Sequence, residues 1–480
     1  MAHWRVYINV TFRWSGVVAC ALIAATGAAT AGCGLTRPPA SASTAPPSVA
    51  VTTPAPVAPE KLPEVSGAGV RVLWQGAPWD DLTFAGGTLL GVNGQQVEAV
   101  SAATGAPLWT ATLPASLPVI LGLVPGKRVV IVEAGRQVGQ APAAVYPVVS
   151  EYVALDLATG AMRWAVPVGG RYQNPPIAVS GRFLLTGDPA GAVTARIAAT
   201  GRIVWRDRRP AGCGQPPGDG PDNAGLGLAA DGPLLAASFD CGSRVIVQRL
   251  DPATGTRLWT WRSMAAGDPL LAVTAAARGG AGMVLIDGQI APSAWPFTRR
   301  LPHAVAWPPA LGPADNVNLI VALDAGDGRP GWSETGGQLE MFAPTAGALC
   351  EVVDVGLECR DDATGTPAMR TLVTGKRDGD SPPYIADGFA GVSRGLAAVT
   401  VPSRQGGVGL LVVRVRGGAT VARGRLAIGA APRDGSNFQV FAVAAAPFGD
   451  RAILVLVRRV DLPGYPVLAL EVSYSRPVQA

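Results

Sequence analysis

The chain has 480 residues, 39 basic and 34 acidic side chains, a net charge of +5 and 48% hydrophobic content. This length and apolar share support a large buried core and exclude a disordered chain. Lysine stands only at Lys61, Lys127 and Lys376, and the arginines are scattered without a basic stripe interleaved with aromatics, which excludes a nucleic-acid surface.

At the front, Arg5 and Arg13 precede an apolar stretch over 17–31 broken only by small residues. That is a secretory leader, and residues 1–32 are read as a signal peptide. Thr30-Ala31-Gly32-Cys33 resembles a bacterial lipobox, in which Cys33 becomes the lipidated first residue of the mature chain. It departs from that pattern at Thr30, where leucine is usual. Ala29-Thr30-Ala31 also fits a small-x-small cleavage site that would release a soluble protein, and an uncleaved anchor is a third reading. Cysteine parity favours lipidation. Beyond Gly32 the cysteines are Cys33, Cys213, Cys241, Cys350 and Cys359, an odd number in an exported chain. With Cys33 acylated, the other four can form two disulfides.

Residues 33–65 are dense in Pro, Ser, Thr and Ala, including Pro38-Pro39, Pro46-Pro47 and Pro54-Ala55-Pro56. Such a segment cannot bury a core and favours extended conformations, so it reads as a disordered tether. A Ser/Thr-Pro stalk carrying O-linked sugars is the sharper alternative. From residue 66 to 480 the chain reads as one all-β domain. It opens with Val70-Arg71-Val72-Leu73-Trp74, a return strand with no partner before it.

A phrase then recurs: an apolar strand-like run, Ala-Thr-Gly, three residues, and Trp. It occurs with Gly105 and Trp109, Gly160 and Trp164, Gly201 and Trp205, and Gly255 and Trp259. A worn copy has Asp327-Gly328 with Trp332, and another keeps Gly365 but carries Met369 in the Trp position. Two β-like runs around a Gly-containing turn make a hairpin. Glycine supplies the positive φ of the turn, and the nearby Asp or Thr bonds local backbone. The Trp starts the return strand, where a large amphipathic ring can fill the gap between neighbouring units.

Two insertions break the spacing, at 210–225 and between Trp261 and Val321. The second holds Trp295-Pro296-Phe297 with Arg299-Arg300, and reads either as a binding loop or as a loop folded over the ring. Cys350 and Cys359 flank the turn-like Asp354-Val355-Gly356, so they face each other across a hairpin at a spacing that a disulfide can span. Two buried reduced thiols are the other reading. Cys213 and Cys241 pair by elimination, and neither pair has metal-site spacing.

The stretches 155–164 and 250–259 resemble the repeat of the pyrroloquinoline-quinone-like β-propellers. That family includes quinoprotein alcohol dehydrogenases and the outer-membrane barrel-assembly lipoprotein. The resemblance covers roughly residues 70–480 and implies a β-propeller of four-stranded blades of about 40–50 residues each. Six turns, a weak copy at Gly418 and a closure of 70–74 against 467–472 give eight blades, with seven as the rival. Family dehydrogenases show a vicinal cysteine pair beside the cofactor. This chain has no adjacent cysteines and no calcium trio placed by motif, so no cofactor and no metal are expected.

Catalytic signals are weak. His3 lies in the leader, which leaves His303 in a loop. Gly391-Val392-Ser393-Arg394-Gly395 matches the nucleophile-elbow string, but a strand-like run follows Ser393 where the elbow needs a helix, and His303 precedes it. The expectation is a non-enzymatic, exported, lipid-anchored monomeric ring. It would bind a protein partner or cell-envelope component at the cell surface. The alternatives are an extracytoplasmic enzyme of the quinone-dependent dehydrogenase type and a ligand-sensing propeller.

Overall fold

The computed structural model describes residues 50–52, 65–66 and, with breaks, 70–473; among the longest stretches outside the described residues are 1–49, 291–316 and 373–390. Every described regular element is a β-strand.

The strands form eight antiparallel sheets among the described residues, numbered I to VIII here. Sheet I spans 81–112, II 119–172, III 177–207, IV 226–262 and V 274–336. Sheet VI spans 343–372, VII 391–426 and VIII 438–473. Sheets I to VII each take four consecutive strands in chain order, which is the outcome of successive short hairpins. Sheet VIII has three strands from the C-terminal end and borrows its fourth, Val70–Gln75, from the front of the chain. That strand pairs Val70 with Val472 and Gln75 with Leu468, so the expected closure is present. The Arg71 guanidinium adds a 2.5 Å ion pair to Glu471 across the same seam.

The first strands of neighbouring sheets lie against one another. Asp81–Ala85 meets Val119–Pro125, which meets Ile177–Ser180, then Leu226–Asp231, then Thr274–Ala277. Ala343–Thr345 likewise meets Gly391–Ser393, which meets Phe438–Ala444. The first strands are therefore innermost and the fourth strands form the rim, the arrangement of a β-propeller.

The core lies between sheets rather than inside any one of them. Leu90, Val97 and Ala111 of sheet I pack with Val130, Val132 and Leu155 of sheet II. Ile131 and Trp164 of sheet II pack with Leu184 and Ala198 of sheet III, and Leu185 of III with Leu235 and Phe239 of IV. Val467 and Ala469 of sheet VIII pack with Leu89 and Ala102 of sheet I. Sheets such as III and IV are buried on both faces, so their middle strands read as near-continuous apolar runs, such as Phe183–Gly187 and Leu234–Asp240.

A short stretch within the 33–65 segment and another at its end also join the sheets. Ala50–Thr52 adds a fifth, antiparallel strand outside Pro107–Thr112 of sheet I, and Val65–Ser66 does the same outside Thr420–Leu426 of sheet VII. Ala-Val-Thr is β-competent sequence between prolines, so it can pair where its neighbours cannot.

Candidate functional site

The recurring phrase builds one structural unit at six junctions between sheets, from VIII–I through V–VI. In the turns at Gly105, Gly160, Gly201, Gly255, Gly328 and Gly365, the glycine N–H donates 2.8 Å to the carbonyl four residues earlier. Each of these glycines has φ between 68° and 75°. The turn is capped from both sides. Asp156 Oδ1 accepts from the Ala158 and Thr159 amides and from the Thr159 hydroxyl, and Asp251, Asp324 and Asp361 accept in the same way from the two corresponding amides. The Thr hydroxyl then accepts the amide just past the glycine, as at Thr104, Thr159, Thr200, Thr254 and Thr364. In the worn copy Asp327 accepts from Arg329 in that role at 2.9 Å.

Each Trp reaches the turn of the next sheet. A methyl carbon placed on Gly160 would lie 2.6 Å from Trp109 Cε3. The same face-on contact joins Trp164 to Gly201, Trp205 to Gly255, Trp259 to Gly328 and Trp332 to Gly365. Indole N–H groups donate to the carbonyl at the start of the facing turn: Trp109 to Leu157 at 3.0 Å, Trp164 to Ala198, Trp205 to Pro252 and Trp259 to Ala325, each at 2.9 Å. The glycine is thus required twice, by its φ and by the ring lying on it.

Trp74 was missed as a member of this series because no turn precedes it. It stacks on Gly105 and donates 3.1 Å to the Ala102 carbonyl, and so joins sheet VIII to sheet I. Register shows the equivalence. Trp74 stands opposite Ala469, as Trp109 stands opposite Ala99, Trp164 opposite Ala154, Trp205 opposite Ala195 and Trp332 opposite Ala322. Met369 occupies the same register opposite Cys359, and Ala422 opposite Val412. Arg249 stands opposite Trp259 and donates to the same Ala325 carbonyl that the Trp259 indole uses.

The Trp environments are not uniform. Trp74, Trp109, Trp164 and Trp332 are buried, whereas Trp205 and Trp259 are half-buried. A bulge lies just before each Trp, and in sheets I, III and IV it turns the preceding side chain out. Leu108, Val204 and Leu258 sit at these bulges and are among the few exposed large apolar residues.

Cys213 and Cys241 form a disulfide with Cα atoms 4.4 Å apart. Cys359 is also disulfide-bonded, and the residue opposite it across its hairpin is Cys350. Cys33, His303 and the Trp295 segment lie outside the described residues. Gly391–Ser393 and Leu396–Pro402 form a hairpin, with Ser393 opposite Leu396, so the strand-then-helix geometry of a nucleophile elbow is absent there.

The electrostatics belong to the rim and turns. The Arg163 guanidinium beside Asp156 holds that carboxyl below its ordinary value, against an opposing push from burial. Asp207 holds Arg257 above its usual value through hydrogen bonds of 2.9 and 3.2 Å. Burial lowers Arg196 and raises Glu151. The eight innermost strands carry Asp81 and Asp231 as their only charged residues. Such a wall offers few groups to hold a charged cofactor or an ion.

A family model described as "Outer membrane protein assembly factor BamB" matches residues 93–226, the stretch that contains the turns at Gly105, Gly160 and Gly201. That stretch of the ring therefore matches a pyrroloquinoline-quinone-like propeller repeat. BamB from Moraxella catarrhalis is similar at 13% identity and a TM-score of 0.45, over 85% of this chain and 99% of that one. The computationally designed Ika8 protein is similar at 11% identity and a TM-score of 0.45, over 84% and 98%. The quinohemoprotein alcohol dehydrogenase ADHIIG from Pseudomonas putida HK5 is similar at 12% identity and a TM-score of 0.44, over 86% and 77%. No curated protein matches the chain. The family's propellers include enzymes and non-enzymes, so its repeat describes the ring and leaves the activity to be argued from the chain's own residues.

Proposed function

We propose that this chain is an exported, lipid-anchored, eight-bladed propeller that works as a binding scaffold at the cell surface. Cys33 carries the lipid, and the ring binds a protein partner or another cell-envelope component. The observation that carries this reading is the small and apolar make-up of the innermost strands. Segments such as Val119–Pro125, Ile177–Ser180 and Thr274–Ala277 hold no ionisable side chain, and with only Asp81 and Asp231 charged on the innermost strands these described strands do not supply the convergent carboxylates of a catalytic funnel. The match of residues 93–226 to the BamB family supports the reading. The repeated residues hold the sheets together, as a rigid scaffold requires, and the loops between them are free to vary.

The test uses the full chain expressed with its leader. The wild type should sediment with membranes and, after detergent extraction, retain a discrete partner; Cys33→Ala should move to the soluble fraction. A wild type found only in the medium and beginning at Gly32 would overturn the anchor. Turnover of an alcohol with added quinone and calcium would overturn the scaffold.

A further inference from the structure

The rim of sheets III and IV differs from the rest of the described rim. Their fourth strands, Ile203–Asp207 and Arg257–Arg262, are the last strands of their sheets, so each has a row of backbone groups with no neighbouring strand among the described residues. Both strands are unusually open. Ile203 and Leu258 are 50% and 51% exposed, Val204 is also exposed, and the adjoining Trp205, Trp259 and Trp261 are only half-buried. By contrast Trp332 and Ser333, on the fourth strand of sheet V, are buried.

The two strands are joined into one surface. Arg257 of sheet IV holds Asp207 of sheet III, and Arg206 pairs with Asp188. Around these pairs stand Arg202, Arg208 and Arg262, all exposed and with no acidic partner among the described residues. The surface is therefore apolar at its centre and carries unneutralised positive charge around it.

The chain itself shows what such an edge accepts. On sheet I the linker residues Ala50–Thr52 lie antiparallel on Thr110, Ala111 and Thr112 of the fourth strand, just past the bulge residue Leu108, which stays exposed for a longer segment to reach. Val204 and Leu258 hold the same bulge position as Leu108 on sheets III and IV. Sheet I's edge is filled from within; those of III and IV end at the rim.

We propose that the rim of sheets III and IV is a docking site for an extended acidic segment of a partner protein. The segment adds as an antiparallel strand on Ile203–Asp207 or Arg257–Arg262. Main-chain hydrogen bonds to the open edge supply affinity, and side chains supply selectivity. Carboxylates on the segment meet Arg202, Arg208 and Arg262, and its apolar residues cover Ile203, Val204 and Leu258. This inference rests on the reading of the ring as a binding scaffold and names the surface that reading leaves open.

The test uses the full-length protein and a synthetic eight-residue peptide of alternating glutamate and valine. Two controls are the same peptide N-methylated at alternate residues, and octaglutamate. The alternating peptide should bind, slow amide hydrogen exchange across 203–207 or 257–262, and lose affinity as salt rises. N-methylation should abolish binding, and octaglutamate should bind at least tenfold more weakly. Val204→Glu with Leu258→Glu should weaken binding at least tenfold with an unchanged melting temperature, since both side chains are exposed. Absence of peptide binding, equal binding by octaglutamate, or protection elsewhere on the ring would overturn the docking site. Concentration-dependent dimers lost in the double variant would overturn it in favour of a second copy as occupant. If the double variant still retains the membrane partner, the docking site fails while the scaffold reading stands.

Discussion

A tryptophan that lies on a glycine of the next sheet cannot be exchanged independently of it. Trp109→Ala removes a buried ring, its contact with Gly160 and its hydrogen bond to Leu157, so it should cost about 3–5 kcal/mol. Trp205→Ala should cost distinctly less, because Trp205 keeps part of its surface in water. Urea unfolding midpoints of the two variants decide this, and equal losses would refute the ranking. Gly160→Ala meets both a φ of 71° and the Trp109 ring, so it should destabilise by roughly 1–3 kcal/mol. In the double variant with Trp109→Ala the steric part should vanish and the two costs should fail to add. Asp156 provides a pH signature. Its folded value is lowered, so its stabilisation is complete above the ordinary aspartate range of about 3.9 and is lost as pH falls through the lowered value. Wild type should therefore lose its stability advantage over Asp156→Asn as pH falls below the ordinary aspartate range and through the lowered Asp156 value, and an advantage that stays constant with pH would count against the Arg163 pairing.

The hairpin is the element that the sequence displayed best. Asp or Thr, Gly and a strand-starting Trp are local chemistry, and each turn bonds within a few residues, so the phrase could be read without knowing the ring. The partner of each Trp could not be read in that way. Trp109 meets Gly160 and Trp259 meets Gly328, at separations set by insertions of unrelated length. Val70–Gln75 stood out as a strand without a partner, and that oddity pointed to closure. Its Trp74 fills the junction that a turn-linked Trp fills elsewhere. Deleting 66–76 should therefore open the seam between sheets VIII and I and lower the melting temperature far more than deleting 34–49, and equal effects would refute closure by this strand. The Cys213–Cys241 bond spans 28 residues, a loop for which chain entropy gives about 3–4 kcal/mol. Replacing both cysteines by alanine should reduce stability by about that amount in non-reducing buffer, and a change within error would show that the bond adds nothing to the ring.

At the scale of the molecule, Ala50–Thr52 ties part of the 33–65 segment to the ring. With the proposed lipid on Cys33, the pairing of Ala50–Thr52 on sheet I leaves 16 residues, 34–49, between lipid and ring, a length that spans at most about 50 Å at about 3.1 Å each. Without that strand the length between lipid and ring runs from 34 to 64, up to the Val65 pairing on sheet VII, and the maximal reach roughly doubles. The strand also sets orientation, because it fixes the exit point at the outer edge of sheet I, next to the VIII–I seam. Both effects hang on three backbone pairings with exposed side chains, a contact weak enough to be broken by one substitution. Val51→Pro removes an amide donor from the strand and should release it without touching the ring core. Neutron reflectometry of the lipidated chain on a supported bilayer should then show the propeller farther from the membrane and more broadly distributed than in wild type, at the same melting temperature. An unchanged distance profile would mean that the strand does not bear on the tether, and that the linker acts as a free spacer along its whole length.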